Sequence, residues 1–180
     1  DETSRGLGDV YKRQDIIDAN KEKCDIAFLP HRMLGVDIRI TSPNAKLVDE
    51  LINTIVPRIK KYVYGFDEDK LEQVIADLLL KHNLTVSTAE SCTSGLLAAR
   101  LTDVPGSSKY FKGGSVCYSN ELKINDVGVK SDLIDRYGAV SEEVAEALAK
   151  NIAEKNNSDI GIGITGIAGP DGGSEKKPVG

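Results

Sequence analysis

A hydroxyl nucleophile needs a turn that exposes it, a base that can take its proton, and donors for the oxyanion it creates. The segment Thr88-Ala-Glu-Ser-Cys-Thr-Ser-Gly95 has residue types suited to the first and last of these. It lies where the alternating stretch Leu84-Thr-Val-Ser-Thr88 gives way to the helical pattern of Leu96, Leu97, Ala99, Arg100 and Leu101. Ser91 is therefore expected at or just before a helix N-terminus, where backbone N–H groups lack intrahelical partners. A serine in that place is equally suited to plain helix capping, which is the commoner use. A candidate base follows in Tyr118-Ser-Asn-Glu-Leu-Lys123, after the strand-like Gly114-Ser-Val-Cys-Tyr118. A lysine beside a serine can replace histidine as the base when burial lowers its pKa. Otherwise Lys123 is a solvated surface amine, and Tyr118 is a core or interface aromatic rather than a proton relay.

The third block is Ile160-Gly-Ile-Gly-Ile-Thr-Gly-Ile-Ala-Gly-Pro-Asp-Gly-Gly-Ser174. Isoleucine at 160, 162 and 164 alternating with glycine predicts a strand with one bare face, against which something packs closely. The glycine-rich run after it can offer backbone N–H groups to a phosphate or carboxylate. Gly161-Ile-Gly163-Ile-Thr-Gly166 matches G-x-G-x-x-G by letter, but two of these glycines fall inside the strand and Pro170 follows instead of a helix. The dinucleotide fingerprint requires the glycines after the strand, so that reading is rejected. No P-loop pattern occurs. Cys92 is a rival nucleophile, but thiol hydrolases usually lean on a histidine base. The chain has only His31 and His82, and His82 reads as a helix-end residue favoured by the dipole there.

The elements that must position these groups follow from periodicity. Strand, strand and helix are expected over 24–63, with Val36, Ile38 and Ile40 alternating and Leu47, Val48, Leu51, Ile52, Ile55, Val56 and Ile59 at helical spacing. Asp67-Glu-Asp69 opens a helix carrying Leu71, Val74, Ile75, Leu78 and Leu79. Strand 84–89, helix 92–102, strand 114–119, a short helix near 131–136, a helix capped by Ser141 and strand 159–165 complete a layered α/β pattern. No apolar run approaches eighteen residues, so no membrane span is expected. A net charge of −5 provides no general pull toward nucleic acid. Three cysteines without metal-ligand spacing fit reduced thiols in a cytoplasmic protein, with no metal or cofactor.

Taken in order, Thr88-Ala-Glu-Ser-Cys-Thr93, Thr102-Asp-Val-Pro-Gly-Ser-Ser108, Tyr118-Ser-Asn-Glu121 with Lys123, Gly138-Ala-Val-Ser-Glu142, Thr165-Gly-Ile-Ala-Gly-Pro170 and Lys177-Pro-Val-Gly180 resemble the CinA C-terminal family. These are nicotinamide-nucleotide amidohydrolases, which convert nicotinamide mononucleotide to nicotinate mononucleotide and ammonia without a metal, in pyridine nucleotide recycling. The resemblance covers roughly residues 67–180 and implies an α/β amidohydrolase domain. It implies Ser91 as nucleophile, Lys123 as base and Tyr118 as orienting or relay group. It further implies that Glu90, Thr93, Gly95, Asn120, Thr165, Gly166, Ala168 and Gly169 line the substrate site. The family usually has Thr-Gly-Gly where this chain has Thr93-Ser94-Gly95. It also continues beyond Pro-Val-Gly with a segment that carries an arginine thought to hold the phosphate. The chain therefore reads as a fragment, truncated at both ends.

Residues 15–66 resemble the small α+β KH-like domain that precedes this one in longer family members. Residues 1–14 show no periodicity and read as a non-native leader. The rival function is a nucleic-acid or protein binding module of a competence/damage-inducible CinA-like protein. KH domains clamp nucleic acid with a G-x-x-G loop, and between residues 15 and 66 the only glycines are Gly35 and Gly65. Enzyme is therefore preferred, with a nucleotide substrate, no nucleic-acid or membrane partner, and a homo-oligomer left open.

Overall fold

The computed structural model describes residues 18–20, 22–31 and 35–179. The expected leader over 1–14 lies outside the described residues. The chain divides into two compact units, one ending at Tyr64 and the other beginning at Gly65.

In the first unit, β1 (Asp25–His31) and β2 (Gly35–Thr41) form an antiparallel ladder that pairs Phe28 with Ile38. Helix α1 (Ala45–Ile59) follows, and the Asn44 side chain caps it by accepting from the Lys46 amide. Leu51 and Ile55 on its apolar face are buried with Cys24, against Ile26, Ile40, Leu47 and Ile59. The expected strands and helix are all present.

The second unit is built on three parallel strands in the order β4–β3–β5. Chain order is α2 (Leu71–His82), β3 (Val86–Glu90), α3 (Leu96–Thr102), β4 (Phe111–Val116), α4 (Asn120–Asn125), α5 (Ser131–Tyr137), α6 (Glu142–Asn156) and β5 (Ile160–Ile164). Strand periodicity divides the core into two layers. Val86 joins Ala76, Leu79, Leu101, Val104 and Tyr110 on the side of α2 and α3. Ala89 joins Val127, Val129, Ile134, Val144, Leu148 and Ile152 on the side of α5 and α6. Central β3 is buried along its whole length, as a parallel strand covered on both faces must be.

The Ile–Gly alternation of β5 has a direct physical cause. Ile160 and Ile162 pack on the α2/α3 side. Gly161 and Gly163 face α6, whose backbone comes so close that a Cβ on either glycine would fall on a carbonyl oxygen, Ala149's or Ala145's respectively. A Cβ at 163 would also lie 2.6 Å from the Ala149 nitrogen and 2.8 Å from Leu148 Cβ. Helix and strand are thus in backbone contact.

Two boundaries differ from expectation. The fourth strand is Phe111–Val116 rather than 114–119, and the helix after Ser91 starts at Leu96 rather than 92. Gly113 and Gly114 blur the first, because glycine carries no hydrophobic pattern, while Ser94 and Gly95 adopt left-handed conformations that no helix start continues through. A further helix, α4, was not expected at all.

The pair Glu72–Arg100 ties α2 to α3, with Arg100 Nε and Nη2 each 2.6 Å from Glu72 Oε1. Backbone hydrogen bonding at the start of α2, then Arg100, hold the Glu72 carboxyl below its usual range.

The close approach of α6 to β5 yields a clean test. Gly163→Ala should destabilise the second unit by at least about 2 kcal/mol, because a methyl group has nowhere to go against helix backbone. Chemical denaturation followed by circular dichroism measures this; a change within about 0.5 kcal/mol would show that α6 can move away freely.

Candidate active site

The loops that leave the carboxyl ends of the three parallel strands converge, the usual place for a ligand in an open α/β sheet. Ser91 directly follows β3. Its amide donates to Ile164 O of β5 at 2.9 Å, and the preceding Glu90 carbonyl accepts from the Cys117 amide beyond β4 at 2.8 Å. The Ser91 position is thus gripped from both neighbouring strands.

From Ser91 the chain turns sharply, with Ser94 N donating to Ser91 O at 3.1 Å, Ser94 at φ 52° and Gly95 at φ 93°. Two consecutive left-handed residues explain why glycine suits this stretch, and Ser94 is the strained member. Glu90 is fully buried, and its oxygens accept from the Leu97 amide at 3.0 Å and the Ala98 amide at 2.8 Å. An anionic group at a helix start is favourable, and it locks the turn onto α3. Glu90 is expected to touch substrate; in the structure its carboxylate bonds the first turn of α3 and so shapes the turn.

Lys123 comes from α4, whose N-terminus Ser119 caps by accepting from the Leu122 amide at 3.2 Å. The lysine is only 2% exposed. Its Nζ lies 3.0 Å from each of three oxygens: Ser91 Oγ, Cys117 O and Tyr118 O. Ser91, 6% exposed, has its Oγ 3.5 Å from Tyr118 O. Burial lowers the pKa of the Lys123 amine, opposed by weaker influences from Cys117 and Cys92. Burial likewise raises the pKa of the Cys117 thiol.

Burial favours the neutral amine, and the arrangement can accommodate it. In the neutral form, two N–H groups can bond the two carbonyls, which can only accept, leaving the lone pair to face the serine hydroxyl, which can donate. A hydroxyl so placed can hand its proton to nitrogen as it attacks. Among the described residues no acceptor is paired with the Cys92 and Thr93 amides, which lie in the turn immediately after the serine. Thr93 Oγ1 is buried without a hydrogen-bond partner among the described residues, an arrangement that costs free energy unless a ligand or water completes it.

The remaining expected site residues are distributed unevenly. Gly166 lies against Cys92, where a Cβ would be 3.1 Å from Sγ. Thr165 Oγ1 is occupied by Ala139 O at 2.8 Å, and Gly169 closes on Val179. Ala168 and Asn120 are exposed, and Gly95 opens α3 beside Val116. Tyr118 contributes its carbonyl, while its side chain is 63% exposed with no bond to Ser91 or Lys123. Sequence reasoning missed the backbone role of Cys117 and Tyr118, for which no residue-type signal exists. It also missed α4, for which Ser119 as cap and Glu121 in the first turn were the available clues. Among the described residues no three His, Cys, Asp or Glu side chains are grouped so as to hold a metal ion, and no helix is long and apolar enough to cross a membrane.

The geometry predicts that Glu90→Gln will damage the turn. The amide retains one acceptor but turns a donor toward a helix N–H, so a loss of about 2 kcal/mol is expected in urea unfolding, the range for hydrogen bonds to charged groups. An unchanged midpoint would show that the two helix amides do not depend on the carboxylate.

The family model for the CinA C-terminal domain matches residues 68–180. A CinA-like protein of Dictyoglomus thermophilum is 41% identical over 182 aligned positions, covering 97% of this chain and 44% of its own length. A putative competence-damage inducible protein of Desulforudis audaxviator is 53% identical over 135, covering 75% of this chain and 33% of its own. The chain therefore spans less than half the length of these curated relatives. Among solved structures, a CinA superfamily protein of Escherichia coli superposes with TM-score 0.60 at 34% identity, covering 67% of this chain and 72% of that one. The competence/damage inducible protein CihA of Agrobacterium tumefaciens gives 0.59 at 38%, covering 65% and 71%. The chain belongs to the CinA family, and its parallel sheet with flanking helices is the fold of these structures.

Proposed function

We propose that the second unit is an amidohydrolase that cleaves the carboxamide of nicotinamide mononucleotide, giving nicotinate mononucleotide and ammonia. The observation that carries this reading is the 3.0 Å contact between Lys123 Nζ and Ser91 Oγ, with the other amine donors held by two carbonyls. The choice of nucleotide rests on the family motifs, and the acyl-transfer chemistry on the geometry.

In the first step the Ser91 proton moves to Lys123 Nζ as Oγ bonds to the carboxamide carbon. The carbonyl oxygen becomes an oxyanion, for which the Cys92 and Thr93 amides are the nearest candidate donors in the turn. Collapse of the tetrahedral adduct breaks the C–N bond. The Lys123 ammonium protonates the departing nitrogen, releasing ammonia and leaving an ester on Ser91. Water then attacks this ester with Lys123 again as base, so that carboxylic acid and free serine are regenerated. Thr93 Oγ1, buried and unpartnered, is suited to bond a polar atom of the substrate. Burial serves the chemistry directly, because a protonated lysine could not accept the serine proton.

Ser91→Ala should abolish ammonia release from nicotinamide mononucleotide by several orders of magnitude, while substrate binding persists. Cys92→Ala should retain most of the rate, and EDTA should not reduce it. An ammonia assay showing the opposite ranking of the two variants would transfer the nucleophile to Cys92.

Lys123 supplies a second test through pH. Its folded pKa lies below the free-lysine value because of burial. Below that folded pKa the amine is protonated and inactive, so kcat/KM should rise with pH through it. Lys123→Arg should be nearly as damaging as Lys123→Ala, since guanidinium cannot deprotonate in this range. An arginine variant with most of the wild-type rate would make the residue a charge holder and remove it as the base.

A further inference from the structure

A base that works at 3.0 Å must be held to within about half an ångström, yet α4 is only six residues long. A helix that short has no appreciable stability of its own, because nucleation is costly and too few hydrogen bonds repay it. Apart from Lys123, Asp126 is the one side chain over residues 119–126 that bonds outside the segment, among the described residues. One Asp126 oxygen accepts from Ser115 Oγ of β4. The other lies 2.5 Å from Lys155 Nζ of α6, which also reaches the Asp126 carbonyl at 2.7 Å. One turn earlier on α6, Asn151 Nδ2 donates to Gly128 O at 2.9 Å. Asn151 and Lys155 are four residues apart and therefore share a helix face. Just beyond, the Val129 amide returns to Lys123 O at 2.9 Å.

We infer that Asp126, Lys155 and Asn151 form a positioning clamp that sets the Lys123 amine against Ser91, with α6 as the rigid reference. The inference rests on the reading of Lys123 as the base, but it concerns residues that touch neither Ser91 nor the amine. The clamp makes sense of an otherwise idle feature. Asp126 and Lys155 are 41% and 44% exposed, and exposed ion pairs usually contribute little to stability. Here the pair also chelates a backbone carbonyl and engages a strand serine, so it constrains the exit of α4 in three directions. Since α6 is in backbone contact with β5 through Gly161 and Gly163, and β5 holds the Ser91 amide, base and nucleophile are both referred to the same helix.

The groups bearing on Lys123 are Cys92 and Cys117, and those bearing on Asp126 are Lys155 and Ser115. Loosening the clamp should therefore act on Lys123 through water access rather than through lost charge, and water raises an amine pKa toward its free value. The test uses the full chain and the variants Asp126→Ala, Asp126→Asn and Lys155→Met. A fluorophosphonate probe reports Ser91 reactivity against pH, independently of any amide substrate. Asp126→Ala should label about tenfold more slowly at neutral pH, with the rising limb displaced to higher pH and the melting temperature lowered by only a few degrees. Asp126→Asn, which keeps the Ser115 contact, should fall between wild type and Ala. Unchanged labelling of all three variants, or losses that follow the unfolded fraction, would overturn the clamp. If wild type itself resists the probe, the nucleophile reading fails separately. The clamp is then judged by NMR of 13C-lysine protein, where the Lys123 titration must move upward in Asp126→Ala; an unmoved titration rejects it.

Discussion

The dehydration of one primary amine sets the terms for the second unit. Lys123 Nζ has exchanged water for Ser91 Oγ, Cys117 O and Tyr118 O, each at 3.0 Å. Loss of bulk water disfavours the ammonium, so burial shifts the balance toward the free amine. The neutral form has two N–H groups and one lone pair, which the three oxygens match only if the serine is the donor. Burial favours the free amine, and the same three contacts then leave its lone pair for the serine hydroxyl. The requirement is strict because they come from different segments: the exit of β3 supplies the serine, the exit of β4 the carbonyls, and α4 the amine.

Keeping these segments in register is the work of the sheet and α6. Ser91 is tied by its amide to β5, and Glu90 by its carbonyl to the chain beyond β4. The Glu90 carboxylate, fully buried, fixes the turn to α3 through two amides. Glycines 161 and 163 let α6 approach β5 to backbone contact, which leaves little play between them. None of these features touches a reacting atom, yet each limits how far Ser91 and Lys123 can separate.

What was legible in the sequence followed from period and turn chemistry. The strand before Ser91, the bare face of β5 and the Ser141 cap of α6 each leave a local signature, and each is present. The Ser91–Lys123 pairing was legible only as a resemblance, since thirty-two positions separate the residues and no local rule joins them. Helix α4 escaped notice because six residues cannot display a 3.6-residue period. For Glu90 the sequence shows only a carboxylate beside a serine, and only the fold reveals the two amides that it bonds. The Asp126–Lys155 contact, spanning twenty-nine positions, is of the same non-local kind.

Geometry also bears on the rivalry between Ser91 and its neighbour Cys92. Ser91 Oγ points to the amine, while Cys92 Sγ packs beside the Gly166 backbone. A thiol nucleophile would call for a histidine, and His82 is the only one in residues 65–180. His82 ends α2 and lies before the start of β3, whereas Cys92 follows its end. A five-residue strand spans about 16 Å, so His82 and Cys92 flank opposite ends of β3. The amine within reach of the turn is that of Lys123, and it is bonded to the hydroxyl of Ser91.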